Sequence, residues 1–101
     1  MRIGDLESAG VRLAAMTMVD TAGITRVKIV PLRRLEAVAR NGVGYSYLWA
    51  AVAGNDHFAA VAPWDTPSGD MRLVPDLEAL QPLHASPGYA WAPVRQLDQE
   101  L

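Results

Sequence analysis

The chain has no cysteine, which excludes a disulfide scaffold and any thiolate metal site. It has no excess of basic charge either: nine Lys and Arg stand against eleven Asp and Glu, for a net charge of −2. That balance lacks the basic stripe needed to neutralise nucleic-acid phosphates. Long hydrophobic runs are also missing. The longest near-apolar stretch, Tyr47 to Gly54, falls well short of the roughly 20 residues that span a bilayer. With Asp5 and Glu7 in the first ten residues, the N-terminus does not read as a signal peptide, and a cytoplasmic protein is the expectation. Only two histidines occur, His57 and His84, and both read as surface loop residues although Asp56 adjoins the first.

What is present fits one globular domain. Half of the 101 residues are hydrophobic and a fifth are charged. A chain of this size buries roughly two-thirds of its unfolded surface, which leaves little core in which to carve a deep active site.

Residues 3–10 form a short helical lead-in stopped by Gly10. Val11 to Asp20 reads as a strand, with Val11, Leu13 and Ala15 on one face and Met16 and Met18 on the other, so that both faces are expected to be covered. Asp20-Thr-Ala-Gly23 is turn chemistry, since Asp bonds its own backbone and Gly accepts positive φ. Ile24 to Val30 comes next, with Ile24, Arg26, Lys28 and Val30 on one face, and the pair makes a β-hairpin. Pro31 ends this strand and opens a helix carried by Leu32, Leu35, Val38 and Ala39, which Asn41-Gly42 terminates. Among these residues Arg33, Arg34, Glu36 and Arg40 read as a solvated face.

A third strand runs from Val43 to about Trp49, then a long loop from Ala50 to Gly69. Met71 to Val74 is a short strand closed by Pro75, and Asp76 caps the helical turn Leu77 to Leu80. Tyr89 to Leu97 alternates as the last strand, which Pro93 pushes toward a sheet edge or a bulge. This order predicts an α+β fold: one main helix on a mixed sheet of four or five strands. The β-grasp (ubiquitin-like) arrangement is the simplest with that order.

No catalytic constellation is complete. Gly42 and Gly44 come after a helix instead of opening one, so they do not make a phosphate loop. Asp65, Asp70 and Asp76 are explained by turns and capping. Tyr45, Tyr47 and Trp49 share one face of the third strand and lead into the long loop, where functional contacts concentrate. Trp64 in that loop is suited to burial against another subunit or domain.

Three segments in order carry a family resemblance. The strand ending in Asp20, the turn with Gly23 and the strand ending in Pro31 before a helix come first. Gly42-Val43-Gly44-Tyr45 is second, and Asp70, Leu73, Pro75 and Asp76 are third. Together they resemble the amino-terminal β-grasp domain of glutamine synthetases. The resemblance implies a domain over residues 11–101, after the lead-in of residues 1–10. Asp20, Gly23, Pro31, Gly42, Gly44, Asp70, Pro75 and Asp76 then have structural roles. It also implies a ligase that activates glutamate with ATP and Mg²⁺ or Mn²⁺ and passes the acyl group to an amine.

In that family the catalytic groups, nucleotide and metals belong to a large carboxy-terminal domain. This domain is implied to bind no metal or cofactor, to contribute no catalytic residue and to be inactive alone. Its implied partners are that catalytic domain and neighbouring subunits of a ring, with the domain closing a neighbour's active site. Ammonia-using members carry an aromatic-Asp-Gly-Ser-Ser run whose Asp helps hold ammonium. Here Tyr45-Ser46-Tyr47-Leu48-Trp49 stands in that place, with Ser46 where the Asp would be. A hydroxyl lacks the charge–charge attraction for a compact cation. The amine-facing residues are thus expected to be Tyr45, Ser46, Tyr47 and Trp49, with Asp56 able to supply the acid, and larger amines are favoured. A stand-alone β-grasp interaction module and a regulatory relative without catalysis are the competing expectations.

Overall fold

The structure, a computed structural model, describes residues 2–20, 22–46 and 70–97. Helix α1 (Ile3–Ser8) is followed by strands β1 (Leu13–Val19) and β2 (Thr25–Pro31). A 3₁₀ turn (Leu32–Arg34) leads into α2 (Leu35–Asn41) and β3 (Val43–Ser46). After it come β4 (Asp70–Pro75), a 3₁₀ turn (Leu77–Ala79), β5 (Gln81–Pro82) and β6 (Tyr89–Leu97). The strand order is β2-β1-β6-β4-β3, with β5 paired to β6. β1 and β6 run parallel and every other pairing is antiparallel. This is a mixed sheet with one main helix, an α+β architecture of the β-grasp type. Among the described residues the two-residue β5 brings it to six strands, where four or five were expected.

The alternation in β1 resolves into an inner and an outer face. Ala14, Met16 and Met18 point inward with Val30 of β2 and Ala90 and Ala92 of β6. Small alanines sit in the two central strands, Ala14 beside Ala90 and Met16 beside Ala92. They leave room for Leu6 of α1 and Leu35 of α2, both fully buried. The lead-in helix is thus part of the same core. The exposed Arg33, Arg34, Glu36 and Arg40 form the solvated face expected of α2.

The outer face departs from the expectation of cover on both sides. Ala15 is buried there, but Val19, Val27 and Ile29 remain 59, 54 and 48 % exposed. On that face the Trp91 indole N–H donates to Thr17 Oγ1 at 2.7 Å, which pins the ring against β1.

β6 is the central strand, so Pro93 is not at an edge. The parallel ladder with β1 ends at the Thr17–Pro93 pair, and pairing with β4 begins at Val94. Pro93 therefore stands where the ladder with β1 ends and the ladder with β4 has not yet begun, and a missing N–H costs least there. Its carbonyl is not wasted, because it accepts from the Asp76 N–H at 2.9 Å. Beyond that point a second small core forms from Met18, Met71 and Leu73, with Val43, Tyr45 and Val94 packed against it.

Candidate functional site

The hairpin turn is built on one carboxylate. Asp20 Oδ1 accepts the N–H groups of Ala22 and Ile24, each at 2.9 Å, and Oδ2 accepts Nε of Arg26 at 2.9 Å. The Asp20 side chain is fully buried in this ring of donors. The Ile24 N–H, Arg26 and the Ala22 N–H hold its carboxyl below the ordinary range, with the Ile24 bond the largest contributor and burial opposing. Gly23 takes φ +81° in the turn, as its place there requires.

Arg26 and Lys28 alternate along β2 on the inner face; Arg26 holds Asp20 and Lys28 reaches β3. The Lys28 ammonium donates to the Gly44 carbonyl at 2.8 Å and lies 6.0 Å from the centroid of the Tyr45 ring. Tyr45 packs against the Met18, Met71 and Leu73 cluster. Burial raises its phenol above the ordinary value, with Arg26 opposing and Asp20 reinforcing. The structure thus gathers Asp20, Arg26, Lys28 and Tyr45 at the end of β3 that leads toward residues 47–69. Among the described residues every buried side-chain polar atom has a partner. The cluster is a satisfied scaffold that fixes the point at which the chain leaves β3.

Of the residues expected to face the amine, Tyr45 is placed on the inner face and Ser46 pairs with Asp70 at the end of β3. Tyr47, Trp49 and Asp56 lie outside the described residues, as do His57, Trp64 and Asp65. His84 is an exposed turn residue. Sequence reasoning gave Arg26 and Lys28 no role. The available signal was two cations on the strand face that ends in the buried Val30.

The residues expected to be structural are placed as follows. Pro31 closes β2 opposite Leu13. Gly42 ends α2 at φ +74°, and a Cβ there would meet Arg72 Cβ at 3.1 Å. Gly44 pairs with Arg72, and Asp70 opens β4. Pro75 is buried opposite Val94. Asp76 Oδ1 accepts the Glu78 N–H at 3.0 Å and caps the 3₁₀ turn. An open groove of about 450 Å³ runs past Ala39, Pro75, Asp76, Glu78 and Arg95. Tyr45, the one described side chain among those expected to face an amine, does not line it. Among the described residues no cluster of three or more His, Asp or Glu is arranged to hold a metal. None of their helices is long and apolar enough to cross a membrane.

The described residues form a β-grasp sheet entered through an Asp-capped hairpin. The chain belongs to the glutamine synthetase N-terminal domain family, whose sequence pattern matches residues 2–101. It is 44% identical over 97 residues to the gamma-glutamylpolyamine synthetase GlnA3 of Streptomyces coelicolor, covering 96% of this chain and 21% of that protein. It also matches a solved glutamine synthase homolog at 29% identity and TM-score 0.71, over 89% of this chain and 22% of the other. Ligand-free GmaS shares the fold at 22% identity and TM-score 0.72, with 99% and 21% covered. The chain thus spans about a fifth of the length of each relative.

Proposed function

We propose that this chain is the N-terminal domain of an ATP-dependent glutamate–amine ligase that uses a larger amine, of the polyamine type, in preference to ammonia. The observation that carries this reading is the 44% identity over 97 residues to a gamma-glutamylpolyamine synthetase. The residues after Gly44 support it, because Ser46 offers no carboxylate for a compact ammonium, while Tyr45, Tyr47 and Trp49 offer apolar wall for a carbon chain. Each CH₂ buried against such a wall is worth about 0.8 kcal/mol.

ATP would supply the phosphoryl group that activates the γ-carboxylate of glutamate. Nucleotide and Mg²⁺ or Mn²⁺ are proposed to be held by the remaining four-fifths of the protein, in the cytoplasm. This domain makes and breaks no bond. It closes the amine side of a neighbouring subunit's active site in a homo-oligomeric ring, and the exposed Val19, Val27 and Ile29 give it apolar surface suited to packing against such a partner. Asp56 is the acid closest in sequence to the wall and takes the amine's positive charge.

Steady-state kinetics of full-length Ser46→Asp and Trp49→Ala variants test the reading. Trp49→Ala lowers kcat/KM for a polyamine and leaves the KM values for ATP and glutamate unchanged, while Ser46→Asp improves ammonia use. If Trp49→Ala affects ATP and the amine equally, the wall is elsewhere.

A further inference from the structure

Lys28 lies on β2 and Gly44 on β3, the two outermost strands of the sheet. Four strand spacings of about 4.8 Å would set them ~19 Å apart in a flat sheet, beyond the reach of a lysine. The 2.8 Å bond between them shows that the sheet is curled until its edges face one another. Along β6 the ladder with β1 ends at Pro93 and the ladder with β4 begins at Val94. On the inner face the gap between the edges is filled by the Met18, Met71 and Leu73 cluster and by Tyr45. Among the described strands β3 has a neighbour only at β4, and four residues of pairing hold it there. A charge-assisted bond on its other side is a substantial part of what fixes it.

We infer that Lys28 is a positioning residue for the amine side of the active site: its ammonium anchors the Gly44 carbonyl and the Tyr45 ring. That anchor sets the direction in which the chain leaves β3. The inference rests on the proposed function for the identity of that site. Lys28 touches no substrate and acts through Gly44 and Tyr45.

The test uses the full-length protein with Lys28→Met, which keeps the apolar stem and removes the charge, and Lys28→Arg, which keeps a cation. Amide hydrogen exchange and amine kinetics are measured on both. Lys28→Met speeds exchange in residues 43–46 while β1 and β6 stay protected. It also raises the KM for the preferred amine by about fivefold or more, with the KM values for ATP and glutamate unchanged, and Lys28→Arg restores most of both. Unchanged exchange in residues 43–46 overturns the anchor. An unchanged amine KM in an enzyme that does use the large amine overturns its positioning role. Loss of β1 and β6 protection as well reduces Lys28 to general stability and overturns the inference too. A parent enzyme that ignores large amines overturns the proposed function instead, and the exchange result still decides the anchor.

Discussion

Replacing Gly42 with alanine separates two costs that usually come together. At φ +74° an L-residue is strained, and at Gly42 the new Cβ would also stand 3.1 Å from Arg72 Cβ and 3.3 Å from its Cδ. Arg72 cannot swing away easily, because its Cβ is fixed to β4 and its guanidinium Nη1 donates to the Asn41 carbonyl at 2.7 Å. Gly23 is the comparison, since φ is +81° and nothing lies within 4 Å of its Cβ position. Gly42, by contrast, also has ψ 168°, a region that essentially only glycine adopts and that costs another residue about 1–3 kcal/mol. The left-handed conformation costs about 1–2 kcal/mol, so Gly23→Ala falls in that range. Gly42→Ala adds an overpacking cost of about 1–3 kcal/mol, as β4 or the end of α2 must shift. For a domain of this size each kcal/mol lowers Tm by roughly 4–8 °C. Urea denaturation with both variants measures the difference directly. Equal destabilisation would refute the close approach of α2's end to β4, and a neutral Gly23→Ala would refute the hairpin turn.

Met16→Ala should cost about 2–5 kcal/mol, toward the upper end, because Met16 is fully buried and its cross-strand neighbour Ala92 is too small to collapse into the space; chemical denaturation reads this. Asp20 should make the fold acid-sensitive: its carboxyl is held below the ordinary value of 3.8, so its stabilisation is complete above that pH and is lost as pH falls through the lower folded value. In a pH series of melting temperatures, Asp20→Asn should be less stable at neutral pH and show a shallower acid decline.

The parts of the fold that were legible in the sequence are those whose cause is local. The Asp20–Gly23 turn, the stop at Gly42, the cap at Asp76 and the limits of Tyr89–Leu97 each arise from residues within a few positions of one another. Gln81–Pro82 is a strand only because Trp91 and Ala90 lie beside it, a pairing that no local pattern announces. Pro93 misled for a related reason. Its rule concerns a lost ladder bond, and β6 loses little there because one ladder ends at that residue and the other begins at the next. Of the candidate site, aromatic spacing singled out Tyr45, which the structure places against Met18, Met71 and Leu73, while Tyr47, Trp49 and Asp56 lie outside the described residues. The Lys28–Gly44 bond was hidden, since it spans 16 residues and exists only once the sheet has curled.

Under the proposed function, the central question is which amine the ligase accepts. The decisive measurement is kcat/KM for ammonia and for a series of polyamines of increasing length, with MgATP and glutamate saturating. A clear preference for the polyamines is expected, growing as more CH₂ groups meet the wall. Efficient use of ammonia, with no polyamine favoured over it, would contradict the proposed function.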